Sequence, residues 1–97
     1  MKKETNSDTL QKVSDLFKVF GDLTRTRIVY CLYKKERNVT EISSILNMNQ
    51  SAISHQLKIL KDNRIIKSRK NGKAVYYTLI DNHICNIINQ GLNHIKE

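Results

Sequence analysis

The chain has no proline among its 97 residues, only three glycines and two cysteines, and no long apolar run. Each absence closes a class of answer. Without proline, low-complexity stretches or internal repeats, nothing marks a linker, so residues 1–97 read as one domain, with residues 1–7 expected to fray. A helix that crosses a bilayer needs about 20 consecutive apolar residues, and the sequence nowhere supplies them. The opening MKKETNSD is basic but leads into no apolar segment, so it does not read as a secretory signal. Cys31 and Cys85 are too few for a disulfide scaffold and, without such a signal, fit a reducing cytoplasm. A glycine-rich phosphate loop and a nucleophile motif are both missing, and so short a chain leaves little volume for a substrate pocket. An enzyme is therefore not expected. A chain of this length also buries a thin core, which self-association would supplement.

Positive charge is what the sequence has in excess: 17 Lys and Arg against 9 Asp and Glu, a formal net charge of +8. Lys58, Lys61, Arg64, Lys67, Arg69, Lys70 and Lys73 crowd into sixteen residues in which Asp62 is the only acid. Charge runs are often just solvated faces, but this concentration suits a polyanionic partner.

Hydrophobic spacing gives the element order. Leu10, Val13, Leu16, Phe17 and Phe20 recur at helical intervals between Asp8 and Phe20. Gly21 breaks that helix, and Asp22 can cap a second one, carrying Ile28, Val29, Cys31 and Leu32 and ending near Lys35. Thr40 is the expected N-cap of a short third helix with Ile42, Ile45 and Leu46 inside, its capping box incomplete because Ser43 stands where Glu is favoured. After the polar turn Asn47-Met48-Asn49, a fourth helix runs from about Gln50 to Asn63 on Ile53, Leu57 and Leu60. The period then changes to that of strands: residues 65–70 and 74–79 flank Asn71-Gly72, a strong hairpin signal. Asp81 can cap a last helix, built on Ile84, Ile87, Ile88, Leu92 and Ile95.

Two helices joined by a tight turn, then a hairpin, read as a winged helix-turn-helix, α+β but mainly α, in the order ααααββα. In that fold the second helix of the motif presents its first residues to base edges in the major groove. Here those are Gln50, Ser51, Ser54 and His55, with Lys58 reaching the backbone. Arg69, Lys70 and Lys73 at the hairpin are candidates for phosphate. A blander reading has Gln50 and Ser51 capping the helix and His55 hydrogen-bonded within the fold.

The last helix carries Asp81, His83, His94 and Glu97 in the pattern D-x-H, ten residues, H-x-x-E. Eleven residues are nearly three helical turns, so His83 and His94 share a face but stand about 16 Å apart along the axis. One helix cannot bring both to an ion whose bonds to nitrogen are about 2 Å long. Two antiparallel copies could, giving two equivalent sites in a symmetric homodimer. Two imidazoles with two carboxylates favour tetrahedral Zn(II), with Co(II) as a substitute. Asp81 also has an ordinary use as a helix cap, and a lone His is most often a surface or core residue.

Phe20-Gly21-Asp22 with Arg25, followed by Gln50-Ser51, Ser54-His55-Gln56-Leu57 and Leu60, resembles the ArsR/SmtB metalloregulatory repressors. The wing and the terminal ligand pattern extend the likeness over nearly the whole chain. The resemblance implies a homodimer packed through its first and last helices that occupies operator DNA and leaves it when metal binds, as the zinc-sensing members do. Relatives that sense thiophilic metals commonly carry Cys-x-Cys in the third helix, where this chain has Thr40-Glu41-Ile42-Ser43-Ser44. Other relatives sense sulfur species through cysteines in the second and last helices. A thiol- or persulfide-responsive repressor using Cys31 and Cys85 is thus the alternative, beside a winged-helix protein that answers to no ligand.

Overall fold

A computed structural model describes residues 6–97. Helix α1 (Ser7–Phe20) starts at Asn6, whose side chain accepts the Thr9 N–H at 2.9 Å. Residues 1–5 lie outside the described residues, but Asn6 and Ser7, expected to fray, form the cap and first residue of a helix. Gly21 closes α1, and Asp22 caps α2 (Leu23–Lys34) by accepting the Arg25 N–H at 3.0 Å. Ile28, Val29, Cys31 and Leu32 of α2 are all buried.

The start of the next helix differs from the expectation. Helix α3 (Val39–Leu46) is capped by Asn38 rather than Thr40. Asn38 accepts the Glu41 N–H at 2.8 Å while Glu41 accepts the Asn38 N–H at 2.9 Å, which completes a capping box. Arg37 and Asn38 also form a two-residue strand β1 that pairs with a later strand. A segment so short carries no alternation to read, and its pairing is decided by a partner some forty residues on.

The turn into α4 (Gln50–Asp62) uses two asparagines differently. Asn47 takes the left-handed conformation (φ 56°, ψ 50°), which asparagine tolerates better than most residues. Asn49 caps α4 by accepting the Ala52 N–H at 2.7 Å. Ser43 Oγ closes the turn by donating to the Met48 carbonyl.

Strands β2 (Ile66–Asn71) and β3 (Ala74–Leu79) pair antiparallel from Ile66 with Leu79 to Asn71 with Ala74. The hairpin loop is therefore Gly72-Lys73, one residue beyond Asn71-Gly72. Gly72 has φ +66°, and its place at the first central position is the one a type II′ turn reserves for glycine. The sheet order is β1-β3-β2.

Helix α5 (Asn82–Lys96) is capped by Asp81, as expected, through Ile84 N–H at 3.1 Å. Its buried anchor is Ile84, with Ile87 and Ile88 packed against the core. That core runs from α2 through α3 and α4 into Ile65, Ile66 and Leu79, and no polar side chain is buried among the described residues. Among the described residues no helix is long and apolar enough to cross a membrane.

The helix-cap correction is testable. Asn38→Ala should lower stability by about 1 kcal/mol, the usual worth of a good N-cap, in a urea unfolding curve. Thr40→Ala should leave the midpoint unchanged.

Candidate nucleic-acid interface and metal ligands

Ile53, Leu57 and Leu60 turn one side of α4 into the core, which fixes what the other side shows. Gln50, Ser51, Ser54, His55 and Lys58 are all exposed on it. Asn49 takes the capping role, so Gln50 and Ser51 are not spent as caps. Gln50 Nε2 makes one long contact, 3.3 Å to Thr40 Oγ1. No hydrogen bond holds the His55 side chain among the described residues, so its alternative role within the fold finds no partner. Lys58 pairs with Asp62 at 3.1 Å, a solvated contact one turn along that a phosphate can displace at little cost.

The position of α4 depends on Arg25. Its Nε donates to the Val19 carbonyl at 2.9 Å and its Nη1 to Gln56 Oε1 at 3.3 Å. One guanidinium thus joins the end of α1 to the outward-facing helix, and Thr26 Oγ1 adds a 2.6 Å bond to the Phe20 carbonyl. Arg25 and Gln56 stand in the family-like motif, but their bond becomes visible only when α2 and α4 are side by side.

The three candidates on the hairpin are not equivalent. Lys70 and Lys73 are exposed beside the turn. Arg69 is held: its Nε and Nη2 each lie 2.7 Å from a carboxylate oxygen of Glu36, and its guanidinium stands 5.4 Å from the centre of the Tyr76 ring. The hydrogen bond from Arg69 sets the Glu36 carboxyl below its ordinary range, and the same bond raises Arg69. Glu36 escaped the sequence reading, although it is the single acid in Lys34-Lys35-Glu36-Arg37. Lys61 Nζ donates to Ser68 Oγ at 2.8 Å, tying the end of α4 to the hairpin.

On α5 the four candidate ligands form two pairs at opposite ends. Asp81 uses Oδ1 for the cap, while Oδ2 lies 3.4 Å from His83 Nδ1. The His83 side chain is 91% exposed. His94 and Glu97 are exposed at the far end. Among the described residues no three His, Cys, Asp or Glu side chains of the one chain come together as a metal site. The four donors, two imidazoles and two carboxylates, are of a kind suited to zinc.

Helices α1 and α5 are both apolar on a side the core does not cover. Leu10, Val13 and Phe17 of α1 are exposed, and Ile95 of α5 is 80% exposed. Phe17, Phe20, Tyr30, Ile88 and Leu92 line an open groove of about 700 Å³ that Gly91 also borders. Cys31 lies beneath it, 5% exposed, and burial pushes its thiol up, only partly offset by the charge of Arg37. Cys85 is partly exposed.

A tight helical turn, an exposed polar second helix and a basic hairpin define a winged-helix regulator of transcription. Residues 22–68 match the bacterial regulatory proteins of the arsR family. The chain is 34% identical over 90 residues to the transcriptional repressor SmtB homolog of Synechocystis sp., spanning 93% of this chain and 68% of that one. It is 34% identical over 97 residues to the cadmium resistance transcriptional regulatory protein CadC homolog of Staphylococcus aureus, spanning 99% and 80%. Among solved structures, HlyU from Vibrio cholerae superposes with a TM-score of 0.87 at 27% identity, over 95% of this chain and 100% of that one. The chain belongs to the ArsR/SmtB family of DNA-binding transcriptional repressors, and is a regulator rather than an enzyme.

The cysteines supply a check on the site. A buried, protonated thiol is a poor nucleophile. Iodoacetamide at neutral pH should therefore modify Cys85 well before Cys31, as followed by mass spectrometry of the peptides. Equal rates would mean that α2 opens readily.

Proposed function

We propose that this protein is a metal-responsive repressor whose two copies pack through α1 and α5, bind operator DNA without metal, and release it when Zn(II) is held between the α5 helices. The observation that carries this reading is the pairing of Asp81 with His83 at one end of α5, with His94 and Glu97 at the other. Asp81 and His83 of one copy would meet His94 and Glu97 of a second, with Co(II) able to replace Zn(II). The exposed apolar residues of α1 and α5 support the homodimer, and Gly91 would let two such helices approach. The relatives' names point to metal as the effector class, since one is a cadmium resistance regulator. Helix α3 of this chain has no cysteine, and the nitrogen and oxygen donors of α5 favour zinc over thiophilic ions.

In this reading α4 enters the major groove, with Gln50, Ser51, Ser54 and His55 at base edges and Lys58 at phosphate. Lys70 and Lys73 contact phosphate from the wing, adding affinity on any sequence. Paired recognition helices must stand about 34 Å apart to reach successive grooves. Ligands shared between two α5 helices would fix the angle between copies and so favour a dimer that misses that spacing. By linkage, DNA must weaken metal binding as much as metal weakens DNA binding. The raised Cys31 thiol does not favour the thiol-responsive alternative. Such a regulator would work in the cytoplasm.

Fluorescence anisotropy of the protein on its own promoter DNA tests the proposal. Titrated Zn(II) at fixed salt should release the DNA near one ion per protomer, and His83→Ala should abolish release without weakening binding in the absence of metal. Zinc that leaves the complex intact would refute the sensor. Separately, Lys70→Ala with Lys73→Ala should weaken binding to all duplexes and lower the slope of log affinity against log salt by about two. An unchanged slope would remove the wing lysines from the interface.

A further inference from the structure

Arg69 sits on β2 opposite Tyr76 of β3, yet its guanidinium ends on Glu36, in the short link between α2 and β1. Because the sheet order is β1-β3-β2, that side chain crosses the middle strand and ties one edge of the sheet to the other. Its Nε and Nη2 each donate at 2.7 Å to a separate Glu36 oxygen, the two-pronged geometry that arginine and carboxylate share. The Tyr76 ring beneath the guanidinium holds it in that path. Arg37 fastens the same corner, its Nε donating to the Cys31 carbonyl at 3.0 Å, so Glu36 is anchored to a buried part of α2. On the opposite side of the hairpin, Lys61 holds Ser68.

We propose that Arg69 is a positioning residue of the wing, not a phosphate contact: with Glu36 it braces β2 against the α2 corner and so sets where Lys70 and Lys73 meet DNA. This rests on the DNA-binding reading above for its affinity consequence alone. Such a brace makes Glu36, an acid in a protein that binds a polyanion, favourable for binding. The competing role for the pair gives the opposite sign. If Arg69 were a phosphate contact that Glu36 restrains, removing the acid would free a cation for DNA.

Glu36→Ala therefore decides the matter, measured as duplex affinity over a range of salt and as amide hydrogen exchange of residues 69–75 in the free protein. The brace predicts weaker binding and faster exchange at the hairpin. Arg69→Ala should reproduce both effects, and the double variant should be no worse than either single one, since one contact is lost in each case. Tighter binding by Glu36→Ala, with a salt slope steeper by about one, would overturn the proposal, as would unchanged binding and exchange. Both residues lie outside the core, so the variants should stay folded; far-ultraviolet circular dichroism checks this. Exchange needs no DNA, so a wild-type protein that bound no duplex would refute the DNA reading and still leave the brace to be decided.

Discussion

Helix α2 is the constraint on which the rest of the molecule depends. Ile28 and Val29 have no exposed surface, and α1, α3, α4, α5 and β3 all pack against this one helix. Losing a buried side chain of that kind costs about 2–5 kcal/mol when cut to alanine, much of the stability a domain of this size commands. Because these five elements all meet α2, each is positioned relative to the others through it. The helix that carries the candidate metal ligands and the helix with the exposed polar side thus share α2 as a common support, and the hairpin meets it through β3.

That arrangement separates two kinds of interaction. Apolar burial holds the elements together but tolerates small rotations, because it has no direction. Orientation comes from a few polar side chains that reach between elements. Arg25 fixes α4 to the end of α1, Lys61 fixes α4 to the hairpin, and Glu36 fixes the hairpin to the end of α2. All three lie at the margin of the core, where hydrogen bonds add aim without burying unpaired charge.

Most of the architecture was legible in the sequence because it rests on local rules. The apolar spacing of α2, α4 and α5, the caps at Asp22 and Asp81, and the hairpin near Gly72 are each written within a few residues. The capping box Asn38-Val39-Thr40-Glu41 is local too, but Thr40, two places on, masked it as a rival cap. Strand β1 was not legible, since its pairing with Tyr76 and Tyr77 joins distant residues. The hairpin loop shifted by one residue for a related reason: the register that buries Ile66 and Leu79 leaves Gly72-Lys73 to make the turn. In the interface, the exposure of Gln50, Ser51, Ser54 and His55 followed from the period of α4. The capture of Arg69 did not, because it joins residues 33 positions apart.

Asp81 has two oxygens with two different employments. One closes the first turn of α5, and the other faces His83. A capping side chain at this position is thus useful to folding whether or not any ion is ever sensed. Half of the proposed site would then depend on the identity of one solvent-exposed residue two places on, His83, which the fold hardly constrains. On the proposed reading, responsiveness would turn on that single exposed position while the cap that starts the helix stayed in place.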